Sequence, residues 1–231
     1  MVTPLSKLPH FDPRQVPVIS VDDHLPAVPA ERLASIALKQ RFVTPPQWTP
    51  EVVREARFSQ RPPAQAAVLV PLVVRSEGLF VLLTQRTAHL STHSGQIAFP
   101  GGKIDEDDVD AAAAALREAD EEVGLAAKYV QVMGTLPVYV TGTAFSVTPV
   151  VGLVHPGFQL KPNPDEVAQA FEVPLTYLMN PANHCRHVFE WEGVRREWFS
   201  MPYLDAQAQA ERFIWGATAG MLRNLYRFLI A

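Results

Sequence analysis

Three glutamates crowd the segment Arg117-Glu118-Ala119-Asp120-Glu121-Glu122-Val123-Gly124-Leu125. The segment reads as the end of a helix, where spacings of three and four residues bring Glu118, Glu121 and Glu122 to one side. Like charges at those spacings repel by about 0.2–0.5 kcal/mol per pair in an isolated helix. A divalent cation offsets such repulsion, and a hard ion such as Mg²⁺ takes carboxylate oxygens and bridges them to substrate phosphates. Arg117, just before the glutamates, can fork onto a carboxylate and lock its rotamer.

Upstream lies Gly95-Gln96-Ile97-Ala98-Phe99-Pro100-Gly101-Gly102. The paired glycines allow a sharp turn between strand and helix and a close approach of backbone to a metal or phosphate. Further upstream, Arg86 ends an apolar run and suits a phosphate partner. His93 sits in a Ser/Thr-rich loop, where it can bond a phosphate or act as acid or base, or serve no catalytic purpose. Gln96 suits a structural place facing the core. Phe99 suits core packing better than an adenine platform.

In order and type, these segments resemble the Nudix box. Its general form is Gly, five residues, Glu, seven residues, then Arg-Glu-apolar-x-Glu-Glu-x-Gly-apolar. The second half matches at every fixed position, with Ala119 a weak apolar residue. The first half departs: Gly102 to Arg117 is one residue longer, and Asp107 or Asp108 stands near the place of the first Glu. The preceding Leu82-Leu83-Thr84-Gln85-Arg86 and His93 to Gly102 resemble the additional motif of the coenzyme A pyrophosphatase subfamily, whose box carries the same longer spacer.

The resemblance implies a Nudix-like α/β/α sandwich and Mg²⁺- or Mn²⁺-dependent hydrolysis of the pyrophosphate of coenzyme A or its derivatives. The products would be 3′,5′-ADP and 4′-phosphopantetheine. Glu118 and Glu122 are then the principal metal ligands, Gly101 lends a carbonyl, and Glu121 serves a second ion or holds a water. Arg117 orients carboxylates. Arg86, His93, Gln96, Phe99 and Gly102 are assigned to substrate. Two general bases stay open, Glu121 and Glu166, the latter in Asn163-Pro164-Asp165-Glu166. Another nucleoside diphosphate derivative, such as ADP-ribose or a dinucleotide, is the alternative substrate. A ligand-binding module without catalysis is the alternative class, disfavoured because all three box glutamates are present.

The elements that must position these residues are legible in outline. Residues 1 to about 62 form a proline-rich arm with a short helix around 30–38, packed on a domain spanning 63–231. Thr49-Pro50-Glu51 has the form of a helix start. Strands are expected at 66–74, 79–86, 96–99, 130–136, 146–153 and 168–174, and a hairpin at 187–191 and 195–201. One helix should run from about Asp110 to Val123, with Ala112, Leu116, Ala119 and Val123 facing the core and Gly124 as its left-handed cap. A last helix is expected from about Gln207 to Leu229, with Ile214, Thr218, Met221, Leu222, Leu225 and Leu229 inward. The fold class is α+β with a mixed sheet.

A net charge of −4 and a pI near 6.0 argue against a nucleic-acid coat, which needs a basic stripe. No run is apolar and long enough to span a bilayer. The start lacks the apolar core of a signal peptide, which leaves the cytoplasm as the expected compartment. The lone Cys185 excludes an internal disulfide and a Cys-based zinc site. The expected partner is a small molecule, with a homodimer as an allowed assembly.

Overall fold

The computed structural model describes residues 12–57, 61–87, 95–191 and 193–231. The apolar runs near 64–75, 78–86 and 145–154 lack a polar alternation because both of their faces are buried, as in sheets covered on each side. The chain runs β1 (Val18–Val21), α1 (Ser35–Val43), β2 (Ala64–Arg75), β3 (Gly78–Arg86), β4 (Ile97–Ala98), β5 (Gly101–Lys103) and α2 (Ala111–Val123). It continues through β6 (Val130–Thr135), β7 (Tyr139–Val140), β8 (Phe145–Val154), β9 (Val167–Pro174) and α3 (Leu175–Leu178). It ends with β10 (Cys185–Trp191), β11 (Val194–Asp205), β12 (Ala210–Trp215) and α4 (Gly216–Ile230).

The larger sheet has the order β4-β3-β2-β8-β6, with β5 added to β2, β7 to β8 and β9 to β3. It is mixed, since β2 and β8 are parallel while β3, β5 and β6 pair antiparallel. Period-two alternation splits the core in two. Ala67, Leu69 and Val73 of β2, Leu82 of β3, and Val150 and Val154 of β8 meet Ala115, Ala119 and Val123 of α2. Their neighbours Val70, Leu72, Val81, Leu83, Val151 and Leu153 face the other way, into a core shared with Leu222, Leu225 and Leu229 of α4. The sheet thus lies between α2 on one face and α4 with a second sheet, β1-β10-β11-β12, on the other. This is the α+β sandwich with a mixed sheet that the pattern implied.

The C-terminal region departs from the expected single helix. Ala210–Trp215 is a strand, registered on β11 through Met201 opposite Ile214 and Ser200 opposite Trp215. Gly216, at φ 61°, turns the strand into α4. Pairing with a neighbouring strand outweighs the helical spacing of Ile214 with the residues after it. Moreover, α4 is buried nearly all round, including Arg223 and Asn224, because the arm covers the side that its sequence marks as polar.

The arm also differs in detail. A 3₁₀ turn spans Ala30–Leu33, and an extended Ala34 separates it from α1. Leu33 and Leu38 are buried, and Ile36 is 80% exposed. No helix follows Thr49-Pro50. Asn224 instead accepts from the backbone N–H groups of Glu51 (2.9 Å) and Val52 (3.0 Å) and donates to the Val52 carbonyl, so the backbone bonds a side chain and not a helix turn. No helix among the described residues is long and apolar enough to cross a membrane.

Candidate active site

The strand–turn–helix from β5 to α2 builds the site. Gly101 and Gly102 pair with Val68 and Ala67 at the centre of the sheet. A Cβ on Gly101 would lie 2.6 Å from Val68 Cα, so only glycine fits there. Asp110 caps α2 by accepting from the Ala113 N–H at 2.8 Å. At the other end Gly124 is left-handed (φ 69°), and its N–H and that of Leu125 close the helix onto Asp120 and Ala119 carbonyls.

Between these ends, packing sets the helix's rotation. The inward stripe is Ala115, Ala119 and Val123 with Ala114, while Ala112 and Leu116 lie at its margin. That rotation corrects the expectation of three carboxylates opposite the core. Adjacent helical residues diverge by about 100°, so Glu121 and Glu122 flank Glu118 on opposite sides. Glu122 is turned inward and is 4% exposed. The Glu121 side chain is 60% exposed and pairs with Arg117 at 3.0 Å. Glu118 lies between, its carboxyl against Gly102, where a Cβ would sit 2.5 Å from Glu118 Cδ.

Arg117 organises the outer part. Its Nε and Nη2 fork onto Asp108 at 3.1 and 2.9 Å, its Nη1 donates to Glu118 (3.2 Å) and Glu121 (3.0 Å), and Nη2 also reaches the Lys103 carbonyl (3.2 Å). These bonds, Asp108 foremost, hold its guanidinium charged far above the ordinary arginine range. Asp108 accepts that fork and the Asp105 N–H. It therefore braces the helix entry, a role hidden in a run of acidic residues that otherwise reads as helix-dipole charge.

Inside, Glu122 accepts from the Gly101 N–H at 3.3 Å, and Arg86 Nη1 stands 3.7 Å from its other oxygen. Burial is the largest influence on Glu122, and together with the nearby charges of Glu118 and Glu166 it raises the carboxyl to about 7, against the pull of Gly101 and Arg86. Glu118 is raised as well, by burial first and by Glu121 and Glu166, with Arg117 opposing. Glu166 is delivered by the turn before β9. Lys161 and Asn163 donate backbone N–H groups to the carbonyls of Val123 and Glu122 (both 2.8 Å), which docks this turn on the end of α2. The Thr87 N–H donates to the Glu166 carbonyl at 3.0 Å, tying the same turn to the end of β3.

The structure thus brings together Glu118, Glu122, Glu166, Arg86, Arg117, Gly101 and Gly102. Glu121 borders the group from the solvent side. Phe99 is a correction: at 3% exposure it belongs to the larger core, because the strand entering the Pro100 turn points it away from the helix. Gln96 is half-buried, and its carbonyl accepts from the Arg86 N–H (2.9 Å), a structural contact at the end of β3. His93 lies outside the described residues.

Among the described residues no group of three or more His, Cys, Asp or Glu side chains is arranged to hold a metal ion. Even so, the donors suit a hard divalent cation. They are all carboxylate or carbonyl oxygens, they outnumber the nearby guanidiniums, and glycine at 102 leaves room for the Glu118 carboxyl beside the backbone.

A family model for the NUDIX domain matches residues 63–214. The chain is 43% identical over 163 residues to the uncharacterized Nudix hydrolase NudL of Escherichia coli K12, covering 70% of this chain and 80% of that one. NudL of Shigella boydii is 42% identical over the same length. Among solved structures, a MutT/nudix family protein of Enterococcus faecalis aligns over 86% of this chain and 71% of its own, with TM-score 0.44 and 18% identity. A C. elegans Ap4A hydrolase aligns over 51% and 85%, with TM-score 0.43 and 20% identity. The chain belongs to the Nudix hydrolases, pyrophosphohydrolases of nucleoside diphosphate derivatives that generally use a divalent metal.

Proposed function

We propose that this Nudix hydrolase cleaves the pyrophosphate of coenzyme A or a derivative, releasing 3′,5′-ADP and 4′-phosphopantetheine or its acylated form. The observation that supports the pyrophosphate chemistry is the placement of the Glu118 and Glu122 carboxyls on the Gly101-Gly102 turn, with the charge of Glu166 acting on both and fewer cations than acids among the described residues. The coenzyme A assignment is supported by the longer box spacer and by the segment from Leu82 to Gly102, which places Arg86 beside Glu122.

Glu118 and Glu122 would hold Mg²⁺ or Mn²⁺, with the Gly101 carbonyl beside them and Glu121 at the solvent edge. A cation bound there supplies neutralisation of the pyrophosphate and a more acidic water. The protein's own residues do the rest. Arg117 fixes the Glu118 and Glu121 carboxylates through the Asp108 brace. Gly101 and Gly102 let the backbone lie close to the phosphates. Arg86, at the end of β3, meets a phosphate oxygen. Glu166 accepts the proton of the attacking water. It is preferred to Glu121 because its charge acts on both Glu118 and Glu122, whereas Glu121 is exposed and tied to Arg117. We place the enzyme in the cytoplasm, with a small molecule as its partner.

The test is incubation of the purified enzyme with coenzyme A and Mg²⁺ or Mn²⁺, with and without chelator, and identification of products by mass. Metal-dependent 3′,5′-ADP and 4′-phosphopantetheine support the proposal. Cleavage of ADP-ribose or a dinucleotide in place of coenzyme A would keep the chemistry and reject the substrate.

A further inference from the structure

We propose that Arg86 is a placeholder counter-ion: it neutralises Glu122 while the site holds no cation, and it yields that carboxylate to the cation when one binds. The inference rests on the reading of Glu118 and Glu122 as cation ligands.

The backbone of Arg86 is firmly placed. It closes β3, its N–H donates to the Gln96 carbonyl at 2.9 Å, and it stands opposite Val167 of β9. Its side chain reaches the helix side of the sheet, where Glu122 of α2 stands. The side chain itself is held loosely. Nη1 is 3.7 Å from Glu122 Oε1, an ion pair without a hydrogen bond. Among the described residues the buried Nε has no hydrogen-bond partner.

Other guanidiniums of this chain show what a permanent pair looks like. Arg117 forks onto Asp108, and Arg186 forks onto Asp22 with contacts of 2.9 to 3.1 Å. Arg86 makes no such fork among the described residues, so little geometry is lost when Glu122 changes partner. A positive charge this close to a ligand oxygen competes with a metal ion for it. Once displaced, the same guanidinium is available to a phosphate oxygen of the substrate. Arg86 is thus a positioning residue toward the cation as well as a substrate contact.

The test is a calorimetric titration of Mn²⁺ into the full-length protein at pH 8 without substrate. Wild type is compared with Arg86→Gln and Arg86→Lys, and Arg86→Met serves as a second neutral variant if Arg86→Gln melts early. Removing the charge should tighten Mn²⁺ binding at least about five-fold, the lower bound set by unit charges about 4 Å apart in bulk water. Arg86→Lys should bind as wild type does, and the neutral variants should show a raised KM for substrate. Neutral variants that bind Mn²⁺ no more tightly than wild type would overturn the inference. A wild-type protein that binds no Mn²⁺ would instead bring down the cation site on which it rests.

Discussion

Two charged clusters in this molecule use the same side chains to opposite ends. Around α2, the carboxylates Asp108, Glu118, Glu121, Glu122 and Glu166 outnumber their neighbours Arg86 and Arg117. Under the arm, Asp22 and Glu51 meet Arg186, Arg223 and Arg227. Burial acts on both clusters to raise their acids. In the second, bonds from Arg186 and Arg223 overcome it, and Asp22 and Glu51 are held below the usual carboxylate range. In the first they do not, and Glu118 and Glu122 are raised. One cluster is complete in itself and fastens the arm to β10 and α4. The other has carboxylates to spare, as a site that takes up a cation requires.

The sharpest break in that contrast is Glu122→Gln. Loss of the carboxylate proposed to hold the metal should lower kcat by about a thousand-fold, equivalent to about 4 kcal/mol of barrier. Far-UV circular dichroism and melting should show an intact fold, with the metal-free variant at least as stable as wild type at pH 8. A large loss of stability would mean that the carboxylate serves packing.

Arg223→Ala should do the reverse. Arg223 is 1% exposed and pairs with both Asp22 and Glu51. Removing this buried partner, with Asp22 and Glu51 left to Arg186 and Arg227, should cost about 3 kcal/mol in denaturant unfolding. Turnover per folded molecule should be unchanged. A catalytic defect without lost stability would show that the arm cluster acts on the chemistry.

A smaller effect is expected at Gly102. A methyl there meets the carboxyl of Glu118, a flexible end that can move aside. Gly102→Ala should therefore raise the Mn²⁺ concentration needed for half activity by about ten-fold, the scale of losing a ligand's support, with little change in melting temperature. Unaltered metal dependence would place the working position of Glu118 elsewhere.

The smallest effect is the pH dependence of stability, and its signs differ between the clusters. Glu122 ionises near its ordinary 4.5 when unfolded and at about 7 when folded and metal-free. Its contribution is full below about 4.5 and is lost as pH rises through 7. Asp22 and Glu51, with lowered values, contribute above their unfolded range and lose that contribution as pH falls. His184, buried beside Arg223 and lowered to about 4, makes folding less favourable as pH drops from 6.5 toward 4. Urea midpoints of metal-free wild type and Glu122→Gln should converge below pH 5 and separate above 7. Parallel curves would refute the buried, charge-crowded environment of Glu122.

The two clusters also differ in how far they can be read from the chain. The first is local: Arg117, Glu118, Glu121 and Glu122 lie within two helical turns, and Gly101, Gly102 and Gly124 mark the turns at either end. Arg86 reaches it from the end of β3 within the same motif, and Glu166, outside the motif, from the turn before β9. The second is assembled from Asp22, Glu51, Arg186 and Arg223, separated by up to two hundred residues. No spacing rule links such residues, and Arg223 and Asn224 look like the polar side of an exposed helix until the arm is in place.

By itself, then, the chain determined what depends on neighbours along the backbone. That includes the apolar runs of the central strands, the capped helix from Asp110 to Gly124, the glycine turn and the clustering of acids. These follow from side-chain periodicity and backbone sterics, which act over a few residues. Only the tertiary structure decided the rotation of α2, which buries Glu122 and exposes Glu121. It also decided that Ala210–Trp215 is a strand and that the arm seals α4. These depend on which surfaces meet, and burial and strand pairing between distant segments can outweigh any local preference.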